Sequence, residues 1–105
     1  MSAQVQINIP KGKIEEFCRK WKITEFALFG SVLREDFRSD SDVDVLVTFA
    51  PDTDYSLFDV IHAQDELKEI LGREVDLVER KAVERSENYI RRKHILNSLL
   101  PVYVA

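Results

Sequence analysis

Residues 30–47 read GSVLREDFRSDSDVDVLV, and the fold is read outward from them. The pair Gly30-Ser31 is followed by ten residues and then Asp42-x-Asp44. The preceding stretch, EFALF at 25–29, has the composition of a short strand, and Ser31-Val32-Leu33-Arg34 can open a helical turn with Ser31 as its cap. The first N–H groups of such a turn have no intrahelical acceptor, and glycine lets an anion approach the backbone closely. A triphosphate fits that environment.

Downstream, Val43, Val45 and Val47 recur with a period of two, the pattern of a strand with one buried face. Asp42 and Asp44 fall on its other side, with Cα atoms about 6.6 Å apart at the usual strand rise. Two carboxylates at that spacing repel unless a cation or a proton lies between them. Mg²⁺ is characteristically held by one or two carboxylates together with substrate phosphates, so the pair points to a magnesium–nucleotide complex. Metal-assisted nucleotidyl transfer needs a third carboxylate, and Arg73-Glu74-Val75-Asp76-Leu77-Val78 supplies a candidate. Val75 and Leu77 would face a core while Asp76 projects the other way. Asp76 is preferred to Glu74, which lies beside the Gly72 turn. On a strand next to Asp44, it could ligate metal and accept the proton of an attacking hydroxyl.

Each piece has a plainer reading. Asp-x-Asp is common by chance, Asp40-Ser41-Asp42 could be a polar turn, and Asp76 alone could be a solvated strand carboxylate. A calcium loop starting at Asp40 would need glycine at its sixth position and glutamate at its twelfth, and this chain has Val45 and Pro51 there. The coincidence favours the functional reading: Gly-Ser after a strand, two carboxylates opening the next strand, and a third on a later one.

These residues resemble the signature of the polymerase-beta-type nucleotidyltransferases, G-S, ten residues, then D-x-D. The brevity of the chain makes it most similar to the minimal nucleotidyltransferase (MNT) domains, which pair with HEPN-domain proteins in prokaryotic toxin–antitoxin modules. The order of elements fits from roughly residue 13 to 80. The resemblance implies an α/β fold with a mixed sheet of three to four strands flanked by helices. It also implies phosphate binding by Gly30 and Ser31, metal binding by Asp42 and Asp44, and Asp76 as the third carboxylate. Arg34 matches a frequent family arginine and is a further phosphate-binding candidate, as is Arg38. Many members have Arg-Gly where this chain has Arg34-Glu35.

Composition agrees with one compact unit. At 105 residues, 45% hydrophobic and 32% charged, the chain can build one core and is too short for two ordinary domains, so residues 1–105 are read as a single minimal domain. Cys18, the single cysteine, has no internal disulfide partner, and neither a signal peptide nor an apolar run of about 18 residues is visible. A cytoplasmic protein without membrane association is expected. A net charge of -4 argues against a broad nucleic-acid-binding surface.

The remaining segments read as scaffold. Ile14, Phe17, Cys18 and Trp21 form one stripe of a helix over 11–21 that should cover the sheet. After a turn at Pro51–Asp54, Leu57, Phe58, Ile61, Leu67, Ile70 and Leu71 predict a helix ending at Gly72, with His62 on its flank. A last helix is expected over 86–99 with apolar Tyr89, Ile90, Ile95, Leu96 and Leu99. Pro101-Val102-Tyr103-Val104 reads as a terminal strand or a docking tail. Arg91-Arg92-Lys93-His94 is the densest basic cluster and is most simply a solvated helix face.

The expected reaction is in-line attack of an acceptor hydroxyl on the α-phosphorus of a nucleoside triphosphate, ATP by resemblance. Two Mg²⁺ ions are expected, one held by Asp42 and Asp44 and a second bridged by Asp76. The acceptor implied by the resemblance is a hydroxyl, often tyrosine, of a HEPN toxin. The nuclease signature R-x4-H is absent: Arg91 plus five falls on Leu96 and His94 minus five on Tyr89. The chain is therefore expected to be the antitoxin. Neutralisation by occlusion without catalysis, and transfer to a small-molecule hydroxyl, are the competing readings. The last helix could serve a homo-oligomer or a hetero-oligomer with the toxin.

Overall fold

The computed structural model describes residues 9–33 and 42–105, leaving the side chains of residues 31 and 32 outside the description. Helix α1 (Lys11–Trp21) follows Pro10, whose carbonyl accepts the Ile14 N–H at 3.0 Å. Its stripe buries Ile14, Phe17 and Cys18, while Trp21 packs at the edge of the core. Lys22, in the left-handed region at φ 56, ends the helix and turns the chain directly into β1 (Ile23–Phe29). A 3-10 turn (Gly30–Leu33) then leads away from the sheet.

Strand β2 (Val43–Phe49) returns antiparallel to β1, and β3 (Val75–Glu79) lies parallel to β2 after the crossover through α2 (Leu57–Leu71). The terminal segment forms β4 (Leu100–Val104), antiparallel to β1 on its other side, which decides the question left open for residues 101–104. The described sheet is thus four-stranded and mixed, in the order β3-β2-β1-β4. Pro101 sits on an edge strand, the place in a sheet where a missing N–H is tolerated.

Strand alternation divides the interior in two. Val43, Val45 and Val47, with Phe26, Leu28, Val75 and Leu77, pack under α1 and α2 against Phe17, Cys18, Ala63 and Leu67. Phe17 and Phe26 meet edge to face, ring centroids 6.2 Å apart. On the other side, Phe29 and Leu46 are covered by Val83 and Ile95. The helices there are α3 (Arg80–Glu84) and α4 (Tyr89–Asn97). Arg80 anchors α3 to the sheet through Glu25 at 2.9 Å, and Thr48 Oγ1 donates to the same carboxylate at 3.1 Å.

Two expectations need correction. The last helix was read over 86–99 but begins at Tyr89, where the Asn88 side chain accepts the Arg91 N–H at 3.0 Å. The five-residue helix α3 was not expected, being too short for a helical period to register. Leu57 and Phe58, each 73% exposed, and Ile90, 79% exposed, lie outside the core. All three stand in the first turns of their helices, the turns set by the Ser56–Asp59 capping box and by the Asn88 cap.

Candidate functional site

The end of β1 and the start of β2 lie side by side, with Phe29 the register partner of Asp44. The chain therefore leaves the sheet at Gly30 beside the Asp44 side chain. Gly30 has φ +75, and a Cβ built on it would run into the Asp44 carboxylate, whose Cγ would be 3.3 Å away and whose Oδ2 would be closer still. The residue must be glycine both for its backbone angle and for this approach. The Gly-Ser turn and the Asp-x-Asp strand, separated by ten residues in sequence, are thus in contact.

On its other side Asp44 is the register partner of Asp76 across the parallel β2–β3 pair. Neighbouring strands are about 4.8 Å apart, and partners in register project to the same face. That face is the one carrying Phe29, Leu46 and Val78, so the two carboxylates stand at the open end of the layer roofed by α3 and α4. Asp44 is half-buried; Asp76 and Asp42, the residue before β2, are exposed. A surface hollow of about 440 Å³ between α1 and α2 lies against the opposite face and is lined by Lys13, Glu16, Lys20, Glu66 and Glu69.

A second acidic step lies one residue earlier. Val43 is the partner of Val75, and the Val43 N–H donates to the Glu74 carbonyl at 2.9 Å, which brings Asp42 and Glu74 to the same end of adjacent strands. Lys68, from the last turn of α2, ion-pairs with the Glu74 carboxylate at 3.0 Å and lies 4.0 Å from Asp65. The hydrogen bond and charge of Glu74 raise the Lys68 pKa, desolvation opposes them, and the charges of Asp65 and Asp42 add to the rise. Glu74 is therefore held by a cation of α2. Lys68 escaped the sequence reading because its contact joins a helix to a strand entrance and leaves no local periodicity.

Sequence reasoning expected three carboxylates converging around divalent cations. The structure makes Asp44 and Asp76 cross-strand partners and sets Asp42 two residues before Asp44. Among the described residues, however, no group of three or more His, Cys, Asp or Glu side chains forms a ready cage. Mg²⁺ keeps several waters and substrate oxygens rather than filling an all-protein cage. A pair of hard oxygen donors on adjacent strands, with a third nearby, fits that ion. Ser31 contributes its backbone to the 3-10 turn while its side chain lies outside the described residues, as do Arg34 and Arg38 altogether. In the basic cluster Arg92 is structural, donating to the Glu84 and Ser86 carbonyls at 3.3 Å each. No described helix is long and apolar enough to cross a membrane.

The nucleotidyltransferase domain family model matches residues 11–99. A Methanocaldococcus jannaschii protein named as a candidate protein adenylyltransferase is 36% identical over 70% of this chain and 77% of its own length. Protein adenylyltransferase MntA of Thermococcus cleftensis is 38% identical over 61% of this chain and 63% of its own length. Among solved structures, a chain of a toxin–antitoxin crystal structure with AMP-PNP superposes with a TM-score of 0.70 at 21% identity, covering 92% of this chain and 75% of that one. A chain from the complex of tri-AMPylated Shewanella oneidensis HEPN toxin with MNT antitoxin gives 0.61 at 22% identity, covering 90% and 70%. At these identities the two structures show the shared fold.

Proposed function

This chain belongs to the nucleotidyltransferase domain family, and from that premise we propose that it is an antitoxin that transfers AMP from ATP to a hydroxyl, by preference a tyrosine, of a partner HEPN toxin and so neutralises it. The observation that carries the reading is the junction of Gly30, Asp44 and Asp76: a glycine turn packed on one carboxylate that faces a second across the sheet. The relatives named as protein adenylyltransferases support the reaction class. The toxin–antitoxin neighbours, one with AMP-PNP and one with a tri-AMPylated HEPN toxin, support the nucleotide and the partner.

In this mechanism the acceptor oxygen attacks the α-phosphorus in line, the bond from that phosphorus to the β-phosphate bridging oxygen breaks, and pyrophosphate leaves. Asp76 takes the hydroxyl proton and passes it to solvent. Gly30 and Ser31 hold the triphosphate tail with main-chain N–H groups, and Arg34 supplies a positive charge. Asp42 and Asp44 would hold one Mg²⁺ and Asp76 would share a second. When bound, these ions neutralise the charge that builds on the phosphoryl and leaving oxygens. The protein contributes position and electrostatics, with no covalent intermediate. The chain acts as one minimal domain over residues 1–105 in the cytoplasm, and the toxin presents the acceptor.

The test is incubation of the full chain with ATP labelled on the α-phosphate, Mg²⁺ and a HEPN toxin from the same organism. Label on the toxin, absent with Asp44→Asn, is expected. A tight complex that inhibits the toxin without transferring label would replace catalysis by occlusion.

A further inference from the structure

Four carboxylates crowd the entrance of two adjacent strands. Asp44 and Asp76 are register partners, and Asp42 and Glu74 precede the Val43–Val75 pair one step toward the strand starts. Like charges placed opposite each other on neighbouring strands oppose the pairing. The parallel alignment nevertheless extends to this end, closed by the Val43 N–H to Glu74 carbonyl bond at 2.9 Å. Among the described residues, a cation placed against this acidic end is Lys68, carried by the last turn of α2 just before the Gly72 cap. Its ammonium pairs with Glu74 at 3.0 Å, with Asp65 on its own helix at 4.0 Å, and lies within electrostatic reach of Asp42.

We infer that Lys68 is a resident counter-ion of the acidic strand entrance, drawing Glu74 toward α2 and offsetting Asp42, so that it raises the Mg²⁺ concentration at which the site fills with nucleotide. The inference rests on the reading of Asp42, Asp44 and Asp76 as the metal-binding set. It adds a residue outside the Gly-Ser and Asp-x-Asp motif, and the role is electrostatic positioning rather than contact with the reacting atoms. A monovalent cation fixed near a divalent one repels it. The same cation relieves the carboxylates when no metal is bound. Lys68 therefore trades stability of the metal-free protein against affinity for the ion. Removing one positive charge near a divalent site at a protein surface is expected to tighten that site by about 2- to 10-fold at moderate salt.

The experiment compares wild type, Lys68→Gln and Lys68→Arg as full chains, titrating Mg²⁺ calorimetrically in the presence of AMP-PNP and recording thermal unfolding with and without Mg²⁺. For Lys68→Gln the half-saturating Mg²⁺ concentration should fall by about 2- to 10-fold. Its unfolding temperature should drop below wild type without metal, and saturating Mg²⁺ should narrow the gap. Lys68→Arg, which keeps the charge, should match wild type in both measurements. If Lys68 served only to fasten the α2–β3 turn, the metal-free protein would be destabilised while the Mg²⁺ curve stayed in place, and that result overturns the inference. A Mg²⁺ curve shifted to higher concentration overturns it as well. Failure of wild type itself to bind Mg²⁺ with the nucleotide analogue would instead remove the underlying site reading, and the inference with it.

Discussion

The Asp44 carboxylate fills the space in which a side chain on Gly30 would stand. This contact joins the turn proposed to hold phosphate to the strand proposed to hold metal, so displacement of one is felt by the other. Gly30→Ala meets two penalties: about 1–2 kcal/mol for a Cβ in the left-handed region, and the forced movement of Asp44. Turnover should fall by about 10²-fold or more, equivalent to about 2.7 kcal/mol of barrier. Gly72→Ala is the control, because Gly72 also has positive φ, at 67, but nothing lies within 4 Å of its added Cβ. It should lose about 1–2 kcal/mol of stability and keep its turnover. Urea unfolding and label-transfer assays on both variants check the contrast.

Asp76→Asn separates function from folding. The substitution keeps the shape of an exposed strand residue and removes one of two like charges that face each other as register partners. Stability without metal should therefore hold or rise, by up to about 1 kcal/mol. Adenylylation should drop by at least ~10²-fold, because a proton acceptor and a metal ligand are lost together. Scanning fluorimetry with AMP-PNP should show Mg²⁺ stabilising wild type, and stabilising the variant less, through the ion assigned to Asp42 and Asp44 alone. A variant with normal turnover would return Asp76 to the status of an ordinary surface carboxylate.

These features differ in how far sequence could reveal them. The alternation Val43, Val45, Val47 fixed which face of β2 the carboxylates share, and the ten-residue spacing was enough to anticipate that Gly30 and Asp44 meet. Both depend on local periodicity and chain connectivity. The Lys68–Glu74 pair depends on where α2 ends relative to the start of β3, a tertiary fact with no local trace. The exposure of the first turn of α2 is likewise a tertiary fact. Periodicity groups Leu57, Phe58 and Ile61 with Leu67 but cannot say how far a helix covers the sheet, and the structure buries Ala63 and Leu67 while leaving the first turn exposed. Residues 101–104 were undecided because a proline-containing segment pairs only if an edge is available, and β1 supplies one.

Cys18 should be chemically silent in the folded protein. Burial pushes its thiol up to about 12, with the Glu15 charge adding to the rise. At pH 8 the thiolate fraction is then on the order of 10⁻⁴, and the side chain has no exposed surface to present to a reagent. Iodoacetamide labelling followed by mass spectrometry should proceed at the rate of opening in native buffer and rapidly in urea. Fast labelling of native protein would contradict the packing of α1 on the sheet.

Glu66 gives α1 and α2 a pH-dependent clasp that can be read optically. Its carboxylate accepts the Trp21 indole N–H at 2.9 Å and pairs with Lys20, joining the end of α1 to the middle of α2. Burial alone would raise its pKa, but the hydrogen bonds from Lys20 and Trp21, with the Lys20 charge, outweigh it and leave the pKa below the ordinary 4.5. A depressed folded-state pKa means that the unfolded chain takes up the proton more readily. The stabilisation is therefore fully present above about pH 4.5 and is lost as pH falls through the lower folded-state value. The partners are partly exposed, so the contribution is about 1 kcal/mol or less. Glu66→Gln keeps an acceptor for the indole and loses the charge. Urea titrations followed by the fluorescence of the single tryptophan should separate the variant from wild type at pH 7, and the difference should shrink toward zero near pH 3. An equal difference at both pH values would assign the clasp to packing and leave the Lys20 charge without a role.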